Sequence, residues 1–398
     1  MPWKRRPFDG RNSARALNIA DLREIARRRV PGFAFEYVEG GAEDEATLRH
    51  NRQAFAALHF VPQTLVATAG RSLEISLFGQ PSTAPLAIAP TGLNGMLHPE
   101  GDIALARAAA AFGIPYTLST LSTSRLEDVA AEAGGRLWMQ LYVFRNRAIA
   151  EDIMSRAAAA GYEALVFTSD ANVFGSREWD RRNYAKPGQP NLAAILDALR
   201  HPRWLTEVLW RRGIPQFRNV EAFLPPGMAS AVGGSTVIPQ MFEPTITWTD
   251  IAWMRRHWPR KLLVKGILSV EDARRAADAG CDGIVLTNHG GRQLDYCVAP
   301  IEVLGQIAAA VGDRLTIIID SGFRRGSDVA KALALGAHTV MIGRPVLYGL
   351  AADGERGVRR ALDMLTTELD RVLGQLGCRS VADLSSALIR QATARQAT

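Results

Sequence analysis

Short apolar runs recur along this chain, separated by longer stretches rich in alanine and arginine. The short runs predict strands at Leu86–Ala89, Tyr116–Ser119, Leu137–Leu141, Ala164–Thr168, Leu262–Lys265, Gly283–Leu286, Leu315–Asp320 and Thr339–Ile342. Between them, Gly101–Phe112, Asn146–Ala160, Val270–Ala279 and Ser327–Leu335 predict helices. Ala160-Gly161, Ala279-Gly280 and Leu335-Gly336 each fit a helix that stops at a glycine. Strand–helix units repeated eight times predict an α/β fold, a (β/α)8 barrel of the TIM type, over about residues 77–376. A doubly wound open sheet is the alternative, but the first strand is not followed by that fold's glycine fingerprint. Residues before about Leu77 read as an N-terminal helical extension of a single domain, 1–398.

The connection between strands four and five is out of scale. It runs for roughly ninety residues, where a strand–helix loop usually takes about 2–6. The insertion proper, about residues 186–245, falls on the face where barrels keep their active sites.

Composition narrows the setting. Hydrophobic residues make up 47% of the 398, enough for a large core. Cys281, Cys297 and Cys378 match no metal spacing and point to a reducing, cytoplasmic compartment. The basic N-terminus, Met1 to Arg15, has no apolar core of a secretory signal. The uncharged runs 75–99 and 222–242 are too broken by proline and glycine to span a membrane. A net charge of +7 permits anionic partners, yet the arginines are mostly spread along helical segments, so nucleic acid is not expected. Only Arg200 to Arg218 concentrates basic and aromatic residues together.

Polar residues gather at the predicted strand ends. Strand three ends in Gln140-Leu141-Tyr142, and strand four in Thr168-Ser169-Asp170 with Arg177 beyond. Strand five ends in Lys265-Gly266, strand six leads to Thr287-Asn288-His289-Gly290-Gly291-Arg292, and strand seven ends in Asp320-Ser321-Gly322. Any one could be a satisfied buried group. Five consecutive strand ends on one rim are hard to explain as packing. His289 can exchange protons near neutral pH, and Arg292 can grip a carboxylate through paired hydrogen bonds. Lysine is scarce here, so Lys265 inside an apolar strand must point at an anion, and Asp320 after three isoleucines poses the mirror problem.

The last two strand ends suit a phosphate. Asp320-Ser321-Gly322-Phe323-Arg324-Arg325-Gly326 opens a helix, and Gly343-Arg344-Pro345 follows strand eight. Barrels often bind phosphate there, through backbone amides and a helix N-terminus. The residues alone leave a phosphorylated substrate and a phosphorylated cofactor both open.

Taken together, these motifs resemble the FMN-dependent α-hydroxy-acid oxidoreductases, from about Leu17 to Leu384. The likeness rests on Tyr37 before Glu39-Gly40-Gly41-Ala42, on Ala89-Pro90-Thr91-Gly92, Leu118-Ser119-Thr120 and Gln140-Leu141-Tyr142. It continues through Thr168-Ser169-Asp170, Arg177-Glu178, Lys265-Gly266, His289 to Asp295, and Asp320 to Gly326. Pro90 to Gly95 and His201-Pro202-Arg203-Trp204 resemble the branch of the family that oxidises mandelate. The resemblance implies FMN, and oxidation of an (S)-2-hydroxy acid, mandelate-like or lactate-like, to the 2-oxo acid. It implies that electrons pass on to quinone, cytochrome or oxygen.

By resemblance His289 is the base and Asp170 its partner, while Arg177 and Arg292 clamp the substrate carboxylate and Tyr37 and Tyr142 donate hydrogen bonds. Lys265 faces the flavin edge where negative charge collects, and Pro90, Thr91, Gly92, Ser119, Gln140, Thr168 and Thr287 surround the ring. Asp320 and Ser321 take the ribityl chain, and Gly322 and Gly343 with Arg324 or Arg344 take the phosphate. Ala171-Asn172-Val173-Phe174 departs from the mandelate pattern and is a candidate contact for the substrate side chain. The resemblance also implies a homotetramer attached at the inner face of the cytoplasmic membrane. For that attachment 190–220 offers Arg200, Arg203, Arg211, Arg212 and Arg218 among Ile195, Leu196, Leu199, Trp204, Leu205, Leu209, Trp210 and Phe217. The competing reading is a flavin-free barrel isomerase or lyase acting on a phosphorylated substrate.

Overall fold

The computed structural model describes residues 8–391, so Lys4 and the first seven residues of the basic N-terminus lie outside it. Eight parallel strands close into a barrel. In chain order they are β1 (Leu86–Ile88), β2 (Tyr116–Leu118), β3 (Leu137–Leu141) and β4 (Ala164–Thr168). The ring continues through β5 (Lys261–Ile267), β6 (Gly283–Leu286), β7 (Thr316–Ile319) and β8 (Thr339–Ile342). β8 pairs with β1 and β4 with β5, which rules out the open sheet.

Side chains alternate across each strand. Ala87, Trp138, Val166, Leu263, Val285, Ile318 and Met341 fill the barrel interior. Their neighbours, such as Ile88, Met139, Leu165, Val264, Ile284, Ile319 and Ile342, pack against the surrounding helices. Both faces are buried, which explains why these strands read as unbroken apolar runs. The hairpin of Ile75–Leu77 and Gln80–Ser82 covers the barrel floor, with Phe78 edge-on to Trp138 at 5.7 Å.

Three strands end one residue earlier than their predicted runs, so Ala89, Ser119 and Asp320 stand just past the ladder. β5 instead runs on to Ile267 through an irregularity at Gly266, whose φ is 121°. A side chain at Gly266 would lie 2.5 Å from Ser169 Oγ and 3.0 Å from Asp170 Cβ, so glycine lets the end of β4 close in.

The N-terminal extension forms helices Ile19–Arg29, Gly32–Glu39 and Ala46–Ala56. Asp295 caps the third by accepting from Ala46 N at 3.1 Å and Thr47 N at 2.7 Å. Asn51 and Asn288 exchange amide hydrogen bonds at 2.9 and 2.7 Å, tying that helix to the loop after β6. The long connection after β4 folds into a small hairpin and helices Leu192–Leu199 and Ala231–Met241. Two of its aromatic residues prove to be anchors, not surface groups. Trp204 is buried, donates Nε1 to Met96 O at 2.7 Å and meets Phe33 edge-on at 5.5 Å; Phe217 is buried as well.

Asp328 holds the turn after β7. Its carboxylate accepts from Arg324 N at 2.9 Å, Arg325 N at 3.0 Å and Arg52 at 2.7 Å, at the start of helix Gly326–Ala334. Replacing Asp328 with alanine removes the cap and the charged partner of Arg52, which keeps its bond to Gly322 O. The expected cost is about 2 kcal/mol, read as a lower urea midpoint for the purified protein; an unchanged midpoint would refute the assignment.

Candidate active site

The alternation that builds the barrel interior also builds the site. Two residues beyond each inward apolar position, the chain emerges on the C-terminal rim. Trp138 is followed by Gln140, Val166 by Thr168, Leu263 by Lys265, Val285 by Thr287 and Ile318 by Asp320. The interior thus turns from apolar to polar within one layer.

Lys265 and Asp320 answer each other. Nζ of Lys265 lies 3.5 Å from Asp320 Oδ2 and donates to Thr287 Oγ1 at 3.3 Å, with both charged side chains almost fully buried. Thr287 donates in turn to Asp320 Oδ1 and accepts from His289 N at 2.9 Å. Ser321 Oγ donates to Asp320 at 2.8 Å and accepts from Gly290 N at 3.0 Å.

His289 sits at φ 57°, and Gly290 and Gly291 follow at 65° and 74°. A histidine in the left-handed region is strained, and the hydrogen bonds from its own N–H to Thr287 and from Gly290 N to Ser321 hold it there. Its Nδ1 meets Asp170 Oδ1 at 2.9 Å, which leaves Nε2 for the cleft. Burial pushes the His289 pKa below its usual value; Asp170 opposes that shift and Lys265 adds to it. Burial also works against the Asp170 carboxylate, but the charges of His289 and Lys265 hold its pKa below the ordinary range.

Two guanidiniums face the same space. Arg177 Nε donates to Arg292 O at 3.4 Å, and Arg292 donates to Gly40 O at 2.8 Å while lying over the Tyr37 ring at 5.3 Å. Burial, then the charges of Arg177 and Arg344, push the Arg292 pKa down to about 9. It remains a cation at neutral pH, and an anionic ligand would relieve the repulsion. The hydroxyls of Tyr37 and Tyr142 reach no protein acceptor among the described residues. Burial raises both phenols, so they stay protonated donors.

At the other end of the cleft, the N–H groups of Gly322, Phe323 and Gly343 donate to no protein acceptor among the described residues. The first amides of the following helix are taken: Asp328 accepts from Arg324 and Arg325, and Glu368 from Gly326 at 2.8 Å. An anion here would therefore be held by the turn before helix Gly326–Ala334 and by Gly343 at the N-terminus of helix Arg344–Leu376. Of the two arginines expected near the phosphate, Arg344 is largely engaged with the protein. It donates to Val38 O at 2.9 Å, Gly290 O at 2.8 Å and Gly40 O at 3.0 Å, clasping the extension to the His289 loop. Arg324 donates to Phe323 O at 2.8 Å and keeps the remainder of its fork for a ligand.

A family model described as FMN-dependent dehydrogenase matches residues 26–391. The (S)-mandelate dehydrogenase of Pseudomonas putida is 45% identical over 374 residues, covering 94% of this chain and 93% of that protein. The L-lactate dehydrogenase of Azorhizobium caulinodans is 40% identical over 367 residues, covering 92% and 96%. A solved structure of a monotopic membrane protein, (S)-mandelate dehydrogenase, superposes with a TM-score of 0.90 at 44% identity, covering 95% of this chain and all of that one. The chain belongs to the FMN-dependent dehydrogenase family. FMN is its cofactor.

As an FMN-dependent dehydrogenase, it gathers most of the residues singled out from sequence around one cleft, of about 1050 Å³ with its open mouth included. Tyr37, Pro90, Thr91, Gly92, Ser119, Tyr142, Arg177, Lys265, His289, Arg292, Asp320, Ser321, Gly322, Arg324, Gly343 and Arg344 all line it. Asp170, Gln140, Thr168 and Thr287 stand behind that wall. Gln140 accepts from Ser119 Oγ at 3.2 Å and donates to Thr168 Oγ1 at 3.0 Å. Of Ala171-Asn172-Val173-Phe174 only Phe174 reaches the cleft; Ala171 is buried and Val173 points to solvent. Leu121, Met341 and Leu347 also line it and carry no chemical signal in the sequence, since an apolar wall residue looks like any core residue.

Lysine at position 344 could not reach three carbonyls at once. Arg344→Lys is expected to loosen Val38–Gly40, lower the thermal midpoint by several degrees and weaken FMN retention on gel filtration. A variant with an unchanged midpoint and full flavin content would show that the clasp is dispensable.

Proposed function

We propose that this cleft oxidises a 2-hydroxy acid to the 2-oxo acid, with FMN and substrate side by side. The observation that carries the reading is a buried His289–Asp170 pair opening onto the same space as two guanidiniums and two free phenols. Arg177 and Arg292 would grip the substrate carboxylate, and Tyr37 and Tyr142 would donate to its oxygens. With Nδ1 turned to Asp170, Nε2 of His289 is left to take a proton from the C2–OH unit, and Asp170 stabilises the imidazolium that results. Oxidation removes two protons and two electrons from that unit: His289 takes one proton, and FMN when bound would supply the acceptor for the two electrons and the second hydrogen nucleus.

The residues present fit FMN. Three unpartnered N–H groups with Arg324 suit a phosphate, and Asp320 and Ser321 suit ribityl hydroxyls. Pro90, Thr91, Gly92 and Ser119 would surround the ring, braced by Gln140, Thr168 and Thr287. Lys265 would place a fixed cation where reduction brings negative charge.

This reading sets a pH dependence. Only neutral His289 can accept the proton, and burial lowers its pKa. Flavin bleaching by substrate should therefore rise with pH through a midpoint below the ordinary histidine value, about 6.5, and then level off. Asp170→Asn removes the charge that opposes this shift, so the midpoint moves lower still while the plateau rate falls. His289→Gln keeps FMN but slows anaerobic bleaching by about 10²–10⁴-fold or more. Near-normal bleaching in a folded, flavin-loaded His289→Gln variant would remove the histidine from the mechanism.

We also propose that the long connection rests on an anionic membrane surface. No helix among the described residues is long and apolar enough to cross one. Helix Leu192–Leu199, however, turns its apolar side outward. Leu192, Ile195, Leu196 and Leu199 are 71%, 48%, 51% and 62% exposed, while its inward residues are Ala194 and Ala198. An amphipathic helix on a free surface normally does the reverse. Trp210 is 89% exposed nearby, among exposed Arg200, Arg203 and Arg211. Aliphatic side chains, tryptophan and arginine together match the headgroup region, and the monotopic mandelate dehydrogenase gives a precedent. Leu196→Asp with Leu199→Asp should abolish sedimentation with anionic vesicles and spare FMN content. A wild-type protein that ignores such vesicles at low salt would overturn the proposal.

A further inference from the structure

The segment that leads into the insertion and the segment that ends it meet at the substrate side of the cleft, where one buried ring joins them. Phe174 lies just after β4 and lines the cleft. Phe242 ends helix Ala231–Met241, is 4% exposed and is not part of the cleft wall. Three aromatic rings meet it edge-on: Phe174 at 4.7 Å and 78°, Tyr142 at 5.0 Å and 63°, and Phe144 at 5.0 Å and 68°. These separations and angles are those aromatic pairs prefer.

Phe242 is itself held firmly. Its backbone bridges Phe144 in antiparallel fashion. Arg145 N donates to Met241 O at 2.8 Å, Glu243 N to Val143 O at 3.2 Å, and Arg145 Nε to Phe242 O at 3.3 Å. The end of the insertion is thus stitched to the segment that follows Tyr142.

Tyr142 needs such a support. Its hydroxyl reaches no protein partner among the described residues, so no hydrogen bond from that group fixes the ring angle. Phe174 has no polar atom beyond its backbone, and its neighbour Val173 is 78% exposed. Packing on Phe242 is the contact the two rings share. Gly92 lines the same cleft at a crowded point, where a side chain would lie 3.2 Å from Leu121 O and 3.6 Å from Tyr37 Oη. A flat substituent at C2 would find an aromatic wall in Phe174 and Tyr142, which both line the cleft.

We infer that Phe242 is a positioning residue that sets the rings of Phe174 and Tyr142, and that this aromatic wall selects 2-hydroxy acids with an aryl side chain over short alkyl ones. The inference rests on the proposed oxidation and adds its substrate class. An aryl substrate gains from a fixed edge or face, whereas a methyl group at C2 is too small to sense the angle of Phe174.

The test uses FMN-loaded protein and two substitutions, Phe242→Leu and Phe242→Met, the second filling more of the ring's volume if the first folds poorly. Mandelate and lactate are compared by anaerobic flavin bleaching. Phenylacetate and acetate, which carry no hydroxyl to oxidise, are titrated by their perturbation of the flavin spectrum. The expected result is a mandelate KM and a phenylacetate Kd raised about tenfold, with the lactate and acetate values, which meet this wall only through the Tyr142 hydroxyl, moved by less than about threefold. The wild type should show the aryl preference that the variants lose, with flavin content retained. Parallel losses for aryl and alkyl ligands, or no loss for either, would overturn the inference. If neither acid bleaches the wild type, the proposed oxidation falls, and the phenylacetate–acetate comparison still judges the role of Phe242.

Discussion

The rim of the barrel depends on a lysine and an aspartate that must share a dry space. An unpaired buried charge carries a large free-energy penalty, and Lys265 and Asp320 relieve it together across 3.5 Å. Thr287 lies between them with its hydroxyl fully used, accepting from Lys265 and from His289 N while donating to Asp320. Ser321 adds a second bridge, from Asp320 to Gly290 N. The ends of β5, β6 and β7 are therefore locked by one carboxylate, and the left-handed conformation of His289 is part of that lock. A buried pair of this kind is weak evidence for stability; its value here is geometric. It fixes a cation and a histidine at set places on one wall of a cleft.

From this point the rest of the site follows by reach. The loop after β6 turns sharply through Gly290 and Gly291, which brings Arg292 toward Arg177 and under the N-terminal extension. Arg344 clasps that extension through the carbonyls of Val38 and Gly40 while holding Gly290 O of the β6 loop, and so carries Tyr37 to the cleft. The extension is a wall of the site as well as an ornament on the barrel. The long connection after β4 supplies Arg177 and Phe174 before the insertion and Phe242 near its end, so it belongs to the substrate side even though its middle faces outward.

Much of this was legible in the amino acids because barrel physics is periodic. Strands buried on both faces read as apolar runs, and the first polar residue at an inward position marks the rim, as Leu263 to Lys265 and Ile318 to Asp320 show. What could not be read was direction. Arg344 looks like a phosphate ligand in a glycine-rich turn, but its guanidinium points at backbone carbonyls of a segment some three hundred positions earlier. Trp204 and Phe217 look interfacial beside their arginines, yet they face inward while Leu196 and Leu199 face outward. Short helices whose inward face is alanine leave no hydrophobic stripe to betray their orientation. Phe242 was invisible for the same reason: a lone phenylalanine in an uncharged run signals nothing until its three partners converge on it.

The central claim is that one cleft joins an anion clamp to a proton acceptor, so that only a carboxylate-bearing alcohol is oxidised. Its most direct test is anaerobic mixing of the FMN-loaded protein with an (S)-2-hydroxy acid and, separately, with its methyl ester. The free acid should bleach the flavin; the ester, having lost a charge-assisted contact worth roughly 1.5–3 kcal/mol, should do so more slowly by one to two orders of magnitude. Equal bleaching by acid and ester, or by neither, would contradict the account.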